Sequence, residues 1–254
     1  MGWISLSRMQ KAIERTLPAC KPDGLRVSEN RPLGKETWRV LFWVVFCLAL
    51  LGLGFLVDGP VGRALTLQSS DSWWQLAFFA SKAGEGWVVA VFGIAGSLSL
   101  FLLRRFHASR GVFLVALTGL MTGATATIIR SLVGRTRPDS HELQGFYGVW
   151  HDSHWIIGKY EFGAFPSGHV ATVIGLAAAT WLINRKFGAL AGMYALLVSW
   201  SRIALGCHHL SDEIAAAIIG VCGAYVVFSR LGPVIKNLGE NLEKFWLKKP
   251  RASL

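Results

Sequence analysis

The chain has 254 residues, with 26 Lys+Arg against 15 Asp+Glu and a formal charge of +11. Only 16% of residues are charged and 52% are hydrophobic, whereas soluble domains run nearer a quarter charged. That balance excludes most soluble globules, disordered chains, collagen-like repeats and disulfide scaffolds. It leaves open why so apolar a chain is so basic.

Taken in order, the first 37 residues are basic. Trp3, Leu6, Met9 or Gln10, Ile13 and Leu17 fall on one helical face, with Arg8, Lys11 and Arg15 elsewhere. This predicts a short interfacial helix. No long apolar core precedes residue 37, so no cleavable signal peptide is expected. A spanning helix needs about 20 mostly apolar residues. Val40 to Val57 is uncharged, and so are Trp87 to Leu103 and Gly111 to Ile129. Between the first two lies an amphipathic stretch, Asp71 to Lys82, with Trp73, Trp74, Phe78 and Phe79. It is expected to rest on the outer leaflet. After a long connection, 139–165, come Val170 to Ile183, Phe187 to Ser201 and Ile214 to Ser229. The expected fold is all-α: a polytopic six-transmembrane-helix bundle with interfacial amphipathic helices. Its parts are a basic segment 1–37, a membrane domain 38–230 and a basic tail 231–254.

The charges partition across these spans. With the N-terminus inside, 19 of the 26 Lys/Arg fall on cytoplasmic pieces, and acidic residues divide 6 inside and 9 outside. The net charge is +13 inside and −2 outside. This positive-inside bias predicts two cytoplasmic termini. The basic residues then face an anionic leaflet, which accounts for the charge without nucleic acid. Trp38, Trp87, Trp181 and Trp200 near helix ends fit interfacial anchors. Gly119/Gly123 and Gly188/Gly192 have the spacing of close helix contacts. The four cysteines show neither metal spacing nor a disulfide framework.

Polar residues crowd one membrane face. Arg130, Arg135 and Arg137 follow the third span, Pro166-Ser167-Gly168-His169 opens the fourth, Ser201-Arg202 closes the fifth, and His208, His209 and Asp212 open the sixth. Arginines clustered there need an anionic partner, and a guanidinium forks onto phosphate oxygens. Arg130 and Arg137 share a face if the third helix continues. Ser167-Gly168 at a helix start offers an anion cradle. Asp212 lies four residues beyond His208, so it can fix the histidine tautomer and free the other nitrogen for attack. His169 can protonate a leaving oxygen. Arg135 reads as a solvated loop or headgroup contact. The connection 139–165 holds several histidines and acids, but in no metal template, and reads as a lid or headgroup-recognition loop.

These motifs resemble the type-2 phosphatidic acid phosphatase family, which shares its site with vanadium haloperoxidases. The family's Lys, six residues, Arg-Pro appears as Arg130 to Arg137-Pro138, with Arg in the Lys slot. Its Pro-Ser-Gly-His is matched at Pro166 to His169. Its Ser-Arg, five residues, His, three residues, Asp is matched by Ser201, Arg202, His208 and Asp212. The resemblance implies a phosphatase without metal or other cofactor. His208 would form a phosphohistidine, Asp212 would orient it, and His169 would serve the leaving group and then water. Arg130, Arg137, Arg202, Ser167 and Gly168 would hold the phosphate. The spacing selects His208 over its neighbour His209, which is expected to face the headgroup or interface. The implied substrate is a lipid phosphate or diphosphate at the periplasmic face of a bacterial inner membrane: undecaprenyl diphosphate, phosphatidylglycerophosphate, phosphatidic acid or lipid A. A lipid-linked phosphotransferase using the same histidine, a haloperoxidase and a lipid-binding protein with an idle site are the alternatives.

Overall fold

A computed structural model of the chain describes residues 35–248. The interfacial helix expected near the N-terminus lies outside the described residues. The helices are α1 (Lys35–Leu65), α2 (Trp74–Ala83), α3 (Gly86–Leu102), α4 (Phe106–Val133), α5 (Gly168–Ile183), α6 (Arg185–Ala204) and α7 (Leu210–Lys248). A two-residue hairpin, β1 (Trp150–His151) and β2 (His154–Trp155), lies between α4 and α5.

Every apolar run of the sequence falls on a helix. Thr37–Leu65, Phe106–Val133, Arg185–Ala204 and Leu210–Glu243 are each long and apolar enough to cross a membrane. The pair α2–α3 passes that test together, bent by 56°. The sixth unit, α5, has 16 residues, about 24 Å of helix, which is short of a hydrocarbon core of about 30 Å. It can be short because it is not lipid-facing. Val170, Ala171, Val173 and Ala179 are at most 1% exposed, packed among α4, α6 and α7. In α1, by contrast, only 6% of the most apolar stretch is buried. Its backbone groups are satisfied within the helix, so exposed Leu and Phe side chains suit a hydrocarbon solvent.

Small residues set the packing around α5. A Cβ at Gly119 or Gly123 would meet Thr172, and the Thr122 hydroxyl donates to the Ala171 carbonyl at 2.8 Å. The first glycine pair therefore marks a close helix contact. Of the second pair only Gly188 does so, against Trp181; around Gly192 there is open space.

Two boundaries differ from expectation. The amphipathic stretch forms α2, but its small face (Ala77, Ala80, Ser81) is buried against α6, with Tyr194 Oη donating to the Ala83 carbonyl at 2.7 Å. It is a packed element of the bundle as well as an amphipathic one. The segment drawn as a tail from residue 231 begins as the continuation of α7, which passes Pro233 unbroken to Lys248.

Candidate active site

Helix α4 stops at Val133 because Gly134 takes the left-handed conformation (φ 60°) at its C-cap. A side chain there would also strike the Gly148 carbonyl, so glycine satisfies both demands. Arg130 and Arg137 therefore do not share a helical face, contrary to the sequence expectation. The turn brings them together instead. Arg130 Nη1 lies 3.5 Å from where a Cβ would stand on Gly168. Arg130 is half-buried in the field of Arg137 and Arg202.

The connection from 134 to 167 is a folded layer. Tyr147 N donates to the Gly134 carbonyl, Arg137 N to Glu161 and Ala164 N to Arg135, all at 2.9–3.0 Å. Ile156 is 2% exposed. This layer grips Arg137. Its Nε donates to the Tyr160 carbonyl at 2.8 Å, its Nη1 to the Cys207 carbonyl at 3.2 Å, and its guanidinium sits 4.0 Å from the Tyr160 ring centroid. The layer also walls a cavity of about 480 Å³ with His141, His151, His154, Lys159 and Glu161 among its lining. No motif residue lines it.

Arg135 overturns its sequence reading. It is buried, not solvated. Its Nη1 donates to Asp212 Oδ1 at 2.5 Å and Ser211 Oγ at 2.7 Å, and its Nη2 to Asp58 Oδ2 at 2.8 Å. Phe55 and Phe146 flank the guanidinium at about 5 Å. Asp58, on α1, also accepts from the backbone N–H and hydroxyl of Ser211. This carboxylate–guanidinium–carboxylate chain joins α1, the outer layer and α7. The sequence reading missed Asp58, although a carboxylate closing an apolar span was the available signal.

Helix α5 begins with Ser167 as N-cap, yet the Ser167 hydroxyl makes no cap bond and is buried without a partner. The first N–H groups of α5 and this hydroxyl are the donors that an anion held at this helix start would use. His169 follows, in the field of Arg202, His208, Arg130 and Arg137. Arg202, on the last turn of α6, donates from Nη1 to Ser81 Oγ of α2 at 2.6 Å.

His208 sits between α6 and α7 and is 1% exposed. Its Nδ1–H donates to the Ala164 carbonyl at 2.8 Å. Asp212 Oδ2 stands farther, at 3.7 Å. The orienting bond thus comes from the backbone, and Asp212 is a charge behind the ring rather than its hydrogen-bond partner. Asp212 instead accepts from the N–H of His209 at 2.7 Å and lies 3.2 Å from His209 Nδ1. His209 Nε2 faces Gln144 of the outer layer at 3.2 Å. Both His209 nitrogens are engaged, whereas His208 Nε2 is buried without a partner. Burial pushes the His208 imidazole down to about 3, with the Asp212 carboxylate acting the other way. The ring is therefore neutral, with a bare Nε2 lone pair beside arginines. Such a group can attack an electrophile whose negative charge the arginines hold.

The sequence model of the PAP2 superfamily matches residues 111–234. That span holds all three motifs, but neither Asp58 nor Ser81. Lipid A 1-phosphatase of Rhizobium johnstonii is 26% identical over 218 residues, covering 78% of this chain and 84% of that protein. Lipid A 4'-phosphatase of Bacteroides thetaiotaomicron is 31% identical over 140 residues, covering 52% and 60%. The crystal structure of Aquifex aeolicus LpxE aligns with 68% of this chain and 95% of its own, at 17% identity and a TM-score of 0.49.

Proposed function

We infer the activity from two premises: residues 111–234 match the PAP2 superfamily, and one buried histidine nitrogen is left bare in the field of arginines. The chain is a bacterial membrane protein and an enzyme, a phosphatase acting on lipid phosphates. The observation that carries the chemistry is His208, whose Nδ1–H is taken by the Ala164 carbonyl while Nε2 remains free.

In the first step His208 Nε2 forms a bond to phosphorus as the P–O bond to the lipid breaks. Once the bound phosphate offsets the charge of Arg130, Arg137 and Arg202, His169 takes up a proton with the substrate and gives it to the departing oxygen. The phosphorylated ring carries positive charge, which the Ala164 carbonyl and the Asp212 carboxylate stabilise. In the second step water attacks phosphorus, His169 takes its proton and the N–P bond breaks. Arg130, Arg137, Arg202, Ser167 and the first N–H groups of α5 hold the equatorial oxygens throughout, where electrostatic stabilisation does most of the work.

The substrate we favour is a phosphate of lipid A. The relatives that align with about four-fifths of this chain are named for its 1-phosphate. The charge partition supports cytoplasmic termini and a site at the periplasmic face. The test is phosphate release by the purified chain in detergent, with EDTA, from a panel of lipid A, undecaprenyl diphosphate, phosphatidylglycerophosphate and phosphatidic acid. Lipid A is expected to be the best substrate. Transfer of phosphate to another lipid in place of release would make the chain a phosphotransferase. A strict need for added divalent metal would overturn the metal-free mechanism.

A further inference from the structure

Among the described residues, four side chains bury polar atoms that meet no partner: Ser167 Oγ, Arg202 Nε, His208 Nε2 and both carboxylate oxygens of Glu213. The first three belong to groups that await a phosphate. Glu213 does not fit that account, because a carboxyl group has no positive charge to offer a phosphate. It is 5% exposed on the first turn of α7, next to Asp212. The polar side chains acting on it are Arg202 and Ser199 of α6, Ser167 at the start of α5, and Asp212. Asp212 turns the other way, into Arg135 and His209.

Burying a carboxyl group without hydrogen bonds is costly, and such a group in a native fold calls for an explanation. The unpartnered atoms supply one. Arg202 Nε–H is an orphan donor, and Glu213 offers two orphan acceptors within its electrostatic reach. A guanidinium has five N–H donors: one on Nε and two on each Nη. Ser81 takes one from Nη1. If Nε is taken from behind, the three remaining donors lie on the Nη1–Nη2 end, the fork that fits two phosphate oxygens.

We propose that Glu213 is a positioning residue, whose carboxyl group engages Arg202 Nε in the phosphate-loaded site and aims the arginine fork at the phosphate. Its second oxygen accepts from the hydroxyl of Ser199. Ser81 and Glu213 then fix the guanidinium from two sides, one on α2 and one on α7. The proposal rests on the reading of Arg202 as a phosphate ligand.

The experiment uses the full chain in detergent and the phosphate mimic orthovanadate. Glu213→Leu removes both acceptors without opening a cavity, and is expected to melt no lower than wild type because it also removes a buried unpaired acid. It is expected to raise KM for the lipid phosphate and weaken vanadate inhibition by about tenfold, the scale of one charge-assisted hydrogen bond. Glu213→Gln keeps one carbonyl acceptor and is expected to recover part of that loss. In an Arg202→Ala background, Glu213→Leu is expected to add less than about twofold. Wild-type KM and vanadate inhibition in Glu213→Leu would overturn the proposal, as would an equal penalty in both backgrounds. Vanadate binding, followed by the rise in melting temperature, needs no turnover. A wild type that hydrolyses no lipid, yet is stabilised by vanadate in a Glu213-dependent way, would overturn the phosphatase reading and leave the positioning role standing. A wild type that neither hydrolyses lipid nor answers to vanadate would overturn both.

Discussion

The half of this bundle that carries the candidate site, called the outer half, and the opposite, inner half are held together by different means. In the inner half, α4, α5 and α7 meet through Leu114, Ala179, Val227 and Phe228, and glycines let the helices close on one another. In the outer half the same helices end in buried charge: Arg135 between Asp58 and Asp212, Arg202 on Ser81, and His208 on a carbonyl. Helices in lipid gain little from apolar contact alone, so close packing is the inner half's source of strength. Charge in the outer half is a poor source of stability, because desolvation offsets most of its attraction. Its use is to hold side chains at fixed angles. The two halves therefore predict separable defects: rate and binding from the outer half, melting temperature from the inner.

The largest break should come from His208→Ala. If it is the nucleophile, hydrolysis falls by about 10⁶-fold, the scale of losing a covalent catalyst, with the melting temperature little changed. Full hydrolysis in that variant would remove His208 from its role. His169→Ala is expected to cost about 10²- to 10⁴-fold in kcat, the range of general acid catalysis. Leaving groups of low pKa, such as p-nitrophenol, should suffer least. Arg135→Ala tests whether the halves are truly separable. It leaves Asp58 and Asp212 buried without their shared cation, which typically costs about 3–5 kcal/mol, and it frees Asp212 to move. Both melting temperature and kcat should fall, making this an outer residue that behaves as structural and catalytic at once.

Smaller effects sharpen the contrast. His208 titrates near 3 when folded, against about 6.5 unfolded. The unfolded chain thus binds more protons between these values. The stability this neutral ring contributes is complete above about pH 6.5 and is lost as pH falls toward 3. His208→Gln should flatten that slope when melting is followed from pH 7 to 4. In the inner half, Gly188→Val forces a side chain into Trp181 and should cost about 1–3 kcal/mol, with KM unchanged. Gly192→Ala meets open space. It should be neutral, or gain up to about 1 kcal/mol from helix propensity.

The helices were legible because each apolar run is long and uninterrupted, and that pattern depends on no distant residue. The convergence of Arg130, Arg137, His169, Arg202 and His208 on one layer followed from span direction alone. What escaped was partnership. Arg135 looks like any loop arginine until Asp58, 77 positions earlier, is folded against it. The bond that sets the His208 tautomer comes from the carbonyl of Ala164, and a carbonyl has no letter in the sequence. Asp212 sat at the right spacing to orient His208, but the turn at the start of α7 gives its oxygen to His209 first. Glu213 carries no signal of its own in the sequence, since burial is invisible along the chain.

The layer between α4 and α5 fixes the working groups largely through main-chain oxygens: Tyr160 for Arg137 and Ala164 for His208. Main-chain oxygens survive substitution. Side chains around the cavity of His141, His151 and Lys159 are therefore at liberty to drift, provided the path of the chain is kept. A catalyst anchored in this way can change what it accepts without relearning how to react, and variation among natural relatives or a mutant library should accumulate on that rim while the reacting groups stay still.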